Sequence, residues 1–132
     1  MTQAHIEAVK RIFEGWAVGD FGAEAALFDR HIVFVVGPDF PESGVFLGAE
    51  GIRTYMRRFL ENWERTTFEA EELRAVGDTV LVRVVQRGKG KVSGADAELR
   101  FFQLFTFRGE KIVRMETVMD ERETLEAAGL QE

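Results

Sequence analysis

Phe101-Phe102-Gln103-Leu104-Phe105-Thr106-Phe107-Arg108-Gly109-Glu110-Lys111-Ile112-Val113-Arg114-Met115 is the stretch on which the architecture turns. Arg108-Gly109-Glu110 reads as a tight turn between two β-prone runs, and strands joined so briefly run antiparallel. Side chains alternate across a strand, so Leu99, Phe101, Gln103, Phe105 and Phe107 share one face. Phe102, Leu104 and Thr106 share the other. In the second run, Val113, Met115, Thr117 and Met119 oppose Ile112, Arg114, Glu116 and Val118. The richer apolar set of each run is expected to face the interior. Upstream, Gly77-Asp78 joins two further strands, about 67–76 and 79–87. With 97–107 and 111–119 they form a four-strand meander, the glycine-rich Arg87-Gly88-Lys89-Gly90-Lys91 lying between its second and third members.

The segment before the meander is helical in character. Ile6, Val9, Ile12, Phe13 and Trp16 recur at helical spacing opposite Glu7, Lys10, Arg11 and Glu14. Gly19-Asp20 stops that helix and opens a short second one, from Gly22 to about Asp29. His31-Ile32-Val33-Phe34-Val35-Val36 is β-branched and bounded by Gly37-Pro38, which predicts a strand followed by a proline loop. Gly48-Ala49-Glu50-Gly51 opens a third helix carrying Ile52, Tyr55, Met56, Phe59, Leu60 and Trp63. Residues 120–130, with Asp120 and Glu123 as a capping pair and Gly129 as a stop, predict a C-terminal helix. Helices first and an antiparallel meander last give an α+β class, a curved sheet packed on three N-terminal helices.

Composition narrows the function. The chain has 132 residues, enough for a single domain over 1–132 with a core of its own. It has no cysteine, which removes disulfides and thiolate chemistry. Acidic residues outnumber basic ones by 23 to 17, a balance unfavourable for nucleic acid or an anionic membrane surface. No run approaches the roughly 20 apolar residues of a membrane span, and residues 1–7 carry no basic and apolar leader, so a cytoplasmic location is expected. Arg53, Arg57, Arg58 and Arg65 are interleaved by Glu50, Glu61 and Glu64, the pattern of a solvated helix face. Two histidines, His5 on an unfastened N-terminus and His31 at a strand entry, do not make a metal site. Gly88-x-Gly90-x-x-Ser93-Gly94 lies between two strands, the wrong context for a phosphate loop. No cofactor is implied.

Several pieces in register now point to a family. These are Phe13-Glu14-Gly15-Trp16-Ala17-Val18-Gly19-Asp20, Ala26-Leu27-Phe28-Asp29-Arg30-His31-Ile32-Val33-Phe34 and Gly44-Val45-Phe46-Leu47-Gly48-Ala49-Glu50-Gly51-Ile52. To them are added Phe101 to Phe107, Gly109-Glu110-Lys111-Ile112-Val113 and Leu125-Glu126-Ala127-Ala128-Gly129-Leu130. Over about residues 6 to 130 the chain resembles a SnoaL-like protein of the nuclear transport factor 2-like superfamily. The resemblance implies a cone-shaped, cystatin-like sheet and helices enclosing an apolar cavity. It does not imply one reaction, because this fold hosts isomerases, cyclases, hydrolases and non-catalytic modules.

The chemistry of the relatives can be tested position by position. Ketosteroid isomerases need a carboxylate base and two neutral donors, and the resemblance puts those positions at Val36, Ile12 and Gln103. Polyketide cyclases of the SnoaL type carry an acid–base aspartate in the last strand, here Thr117. An Asp-Arg-Asp group of the epoxide hydrolase type is not assembled by inward positions. Whether the chain is an enzyme is left open by this inventory. Tyr55, Asp39, Glu42 and His31 are the remaining acid–base candidates.

The reading that results is binding of a small apolar molecule in an enclosed cavity. Its expected walls are Phe13, Trp16, Phe34, Tyr55 and Phe59 from the first half of the chain. Phe101, Gln103, Phe105, Met115, Thr117 and Met119 come from the meander. Aromatic and methionine side chains with few polar anchors are the composition of a ligand pocket. The alternatives are a SnoaL-like isomerase, cyclase or hydrolase acting on an apolar or polycyclic substrate, and a non-catalytic dimerisation module. Phe102, Leu104, Ile112 and Val118 are expected on the outer sheet face. An apolar patch edged by charge suits a homodimer interface.

Overall fold

The computed structural model describes residues 2–120. It opens with helix α1 (Thr2–Trp16), whose stripe Val9, Ile12, Phe13 and Trp16 is buried. Strand β1 (Phe28–Val36), the short β2 (Gly44–Leu47) and helix α2 (Gly48–Glu61) follow. The meander is β3 (Trp63–Val76), β4 (Thr79–Gly90), β5 (Asp96–Arg108) and β6 (Lys111–Val118). All six strands form one sheet in the order β2-β1-β6-β5-β4-β3. Neighbours pair antiparallel except β1 and β6, which run parallel. The sequence of elements is α+β, with the meander as expected and the helices packed on one face of the sheet.

Two of the three expected helices form among the described residues. The segment from Gly22 to Asp29 makes a single 3-10 turn, Ala25–Leu27, and Phe28 and Asp29 already belong to β1. A run this short cannot offset the cost of helix nucleation. Pairing of Phe28 with Ile112 takes the backbone into the sheet instead. α2 ends at Glu61, and Trp63 is the first residue of β3 although it sits at helical spacing from Phe59. β4 continues through Gly88 to Gly90. A Cβ on Gly88 would stand 2.7 Å from the Arg65 carbonyl oxygen and 2.9 Å from the Trp63 ring, so glycine there permits close strand approach. The C-terminal helix expected over 120–130 lies, beyond Asp120, outside the described residues.

A bulge redistributes the faces of β6. Thr106 pairs with Arg114 but Phe107 pairs with Ile112, so β6 carries an extra residue at that point. Ile112 consequently turns into the core, fully buried beside Phe107, and not onto the outer face as strand parity predicted. Leu104, on the outer face, is also buried within the chain, while Phe102 and Val118 are half-buried. His5 is fastened as well. Its Nε2 lies 2.8 Å from the Gly109 carbonyl oxygen, and its ring stacks on Phe107 at 4.0 Å between centroids. This ties the start of α1 to the β5–β6 turn. No helix among the described residues is long and apolar enough to cross a membrane.

Candidate functional site

Between α2 and the inner face of the sheet the chain leaves a pocket of about 700 Å³. Each element supplies lining through its own period. Trp16 ends α1; Ile32 and Phe34 alternate along β1; Ile52, Tyr55, Met56 and Phe59 form one stripe of α2. From the meander come Phe68, Gln86, Phe101, Gln103, Met115 and Thr117. The aromatic rings brace one another. Tyr55 meets Phe34 edge-on at 4.8 Å and stacks on Phe59 at 5.8 Å, and Phe68 meets Phe101 edge-on at 5.5 Å. Such pairs hold an apolar wall in place while keeping each ring in its preferred geometry.

The polar groups in this wall are few and arranged in pairs. Gln103 and Thr117 are opposite one another in the β5–β6 ladder, and Gln103 Nε2 donates to Thr117 Oγ1 at 3.3 Å. Gln86 Nε2 donates to Thr66 Oγ1 at 3.2 Å, and that hydroxyl donates to the Arg87 carbonyl oxygen. Gln103 Oε1 and Trp16 Nε1 are buried with no hydrogen-bond partner among the described residues. An unpartnered buried polar atom costs about 1–3 kcal/mol, so both lie in residues where a ligand or a rotamer change can recover free energy. Burial pushes the Tyr55 phenol well above its usual range, with the charge of Glu42 adding to the effect. Tyr55 is therefore a neutral O–H donor at any physiological pH.

Eight of the expected binding residues line this pocket: Trp16, Phe34, Tyr55 and Phe59, with Phe101, Gln103, Met115 and Thr117 from the sheet. Phe13 and Phe105 instead sit behind Trp16, buried and packed edge-on to each other at 5.9 Å. Met119 packs half-buried against the core, away from the lining. Among the acid–base candidates Tyr55 alone is in the wall. Glu42 is near enough to bear on it through its charge; Asp39 and His31 are exposed and outside the lining. Ile12 and Val36 are buried apolar residues, so those two relatives' positions hold no proton-transfer group. Among the described residues no group of three His, Asp or Glu side chains is placed to hold a metal ion.

Four polar lining residues are not among the sequence-derived candidates: Asp29, Arg53, Arg57 and Gln86. The signal for Gln86 is its period, since Val80, Val82 and Val84 precede it on the buried face of β4. Asp29 is masked by the helical look of the segment before it. Arg53 and Arg57 flank Tyr55 on α2 and alternate with glutamates, a pattern that in sequence describes solvent.

Comparison with known proteins agrees with this architecture. The family model of the SnoaL-like domain matches residues 9–115. The chain belongs to the SnoaL-like domain family. An NTF2-like protein from Burkholderia thailandensis E264 superposes on this SnoaL-like chain with a TM-score of 0.77 at 25% identity, covering 93% of this chain and 95% of that one. An NTF2-like protein of unknown function from Burkholderia pseudomallei K96243 gives 0.78 at 17% identity, over 93% and 95%. TerC, co-crystallised with polyporic acid, gives 0.77 at 22% identity, over 96% and 98%. Among curated proteins none matches the chain.

Proposed function

We propose that this SnoaL-like domain binds a small, largely apolar molecule in the pocket between α2 and the sheet. The observation that carries the reading is the pocket itself: about 700 Å³ between α2 and the sheet, with aromatic and aliphatic walls that belong to the core cluster. Apolar side chains that face an unfilled pocket forfeit packing energy, which a bound molecule restores. Its size and lining are those of small-molecule sites. Co-crystallisation of TerC with polyporic acid supports the same use of the fold.

The test is a thermal-shift panel of apolar aromatic compounds. A ligand present at a hundred times its dissociation constant adds about 2.7 kcal/mol, which corresponds to roughly 5–10 °C for a chain of this size. At least one compound is expected to reach that range. Ile52→Arg, which introduces a charge into the lining, is expected to abolish the shift. A panel without any shift overturns the reading.

One observation favours an enzymatic reading beside it. Tyr55 is a neutral donor inside the pocket, and Asp29 places a carboxylate in the same lining. A carbonyl-bearing substrate would find a group to polarise it and a carboxylate to accept a proton. Tyr55→Phe and Asp29→Asn are the discriminating variants. Loss of turnover with retained binding would show chemistry, and unchanged behaviour would leave binding alone.

A further inference from the structure

The rim of the pocket carries positive charge on α2. Arg53 and Arg57 stand one helical turn apart on α2, and both contribute to the lining. Among the described residues neither guanidinium is within ion-pairing distance of a carboxylate. Partners were at hand. Glu50 stands three positions before Arg53 and Glu61 four after Arg57, spacings that bring side chains together on a helix. Asp29, the one acid in the lining among the described residues, uses Oδ1 to accept the His31 backbone N–H at 2.8 Å. In a chain whose net charge is −6, two arginines that have no ion pair among the described residues stand at an apolar opening as a local reversal of sign. Low-dielectric walls concentrate that positive field at the opening.

The planar guanidinium fork matches a carboxylate, and both arginines are exposed, so a charge held there keeps contact with water. An anion in that position escapes the penalty that full burial would impose. We propose that the ligand is an organic anion, with an apolar body inside the pocket and a carboxylate held at its mouth by Arg53 and Arg57. The proposal rests on the reading of this pocket as a binding site, and it fixes the orientation: charge outward, rings toward Phe68 and Phe101.

The experiment uses matched pairs, 2-naphthylacetate, biphenyl-4-acetate and dodecanoate, each beside its methyl ester, titrated calorimetrically into the full chain at low salt. The wild type is expected to hold at least one acid about tenfold tighter than its ester, about 1.4 kcal/mol. The double variant Arg53→Gln/Arg57→Gln is expected to bind acid and ester alike. Raising the salt to about 0.5 M should weaken the acid and spare the ester. Equal wild-type affinity for acid and ester overturns the anion proposal and leaves the pocket reading standing, as does an acid preference that survives the double variant. Failure of every acid and every ester to bind removes both.

Discussion

Gln103 donates its amide N–H to the Thr117 hydroxyl at 3.3 Å, while its own buried carbonyl oxygen has no partner among the described residues. The two residues face each other across β5 and β6, so neither can move away without breaking the ladder. Thr117→Val keeps the shape and removes the acceptor, stranding the whole amide. It is expected to cost about 1–3 kcal/mol in urea unfolding. The double variant Gln103→Leu/Thr117→Val removes both polar partners and is expected to be close to neutral. A double variant as unstable as the sum of the single changes would show that the pair is not an isolated unit.

Tyr55 is the only tyrosine of the chain, so ultraviolet titration reads it without ambiguity. Its phenol is expected to remain protonated well above pH 10, where free tyrosine is half ionised. The sign follows from linkage. Above pH 10 the unfolded chain gives up this proton and the folded chain keeps it, so stability present below pH 10 declines as pH rises toward the folded value. Tyr55→Phe should remove that alkaline decline. Ionisation at the ordinary value would show the phenol to be solvated.

Gly77 and Gly88 invite a paired substitution. Gly77 turns between β3 and β4 at φ 59 with open space around its Cβ position. Asparagine tolerates that conformation, so Gly77→Asn is expected to change stability by less than about 1 kcal/mol. Gly88 has no room, because the Arg65 carbonyl oxygen lies 2.7 Å from where a Cβ would sit. Gly88→Ala should cost about 1–3 kcal/mol through forced displacement of β3. Thermal unfolding of the two variants decides the contrast, and equal losses would refute it.

We propose that two copies of the chain associate through the outer sheet face. With Ile112 in the core and Leu104 buried within the chain, the surface left for a partner centres on Phe102 and Val118, with the Arg83 guanidinium 5.9 Å from the Phe102 ring. Light scattering at micromolar concentration should return twice the monomer mass, and Phe102→Glu should halve it. A monomeric wild type removes the proposal.

The meander is legible in the sequence because its turns and its period are local properties: Gly77-Asp78 and Arg108-Gly109-Glu110 set the hairpins, and Phe101, Gln103 and Phe105 alternate without interruption. The place of Ile112 is not, since a bulge shifts parity by one residue and leaves no periodic trace. β2 is hidden for another reason. Four residues, Gly44–Leu47, gain strand character only by pairing with β1, and that partner is supplied by the fold. The apolar wall of the site can be read from faces, but its charged rim cannot. Arg53 and Arg57 look the same in sequence whether they meet bulk water or the mouth of a pocket.

The parallel pairing of β1 with β6 constrains the order in which this molecule can assemble. β3 to β6 pair with sequence neighbours and can zip through successive hairpins, whereas β1 must wait for a partner made almost at the end of the chain. Contacts that close so long a stretch form late and open early. Hydrogen exchange is therefore expected to find β4 and β5 protected longest, and β1, which carries Ile32 and Phe34, released with β2 before them.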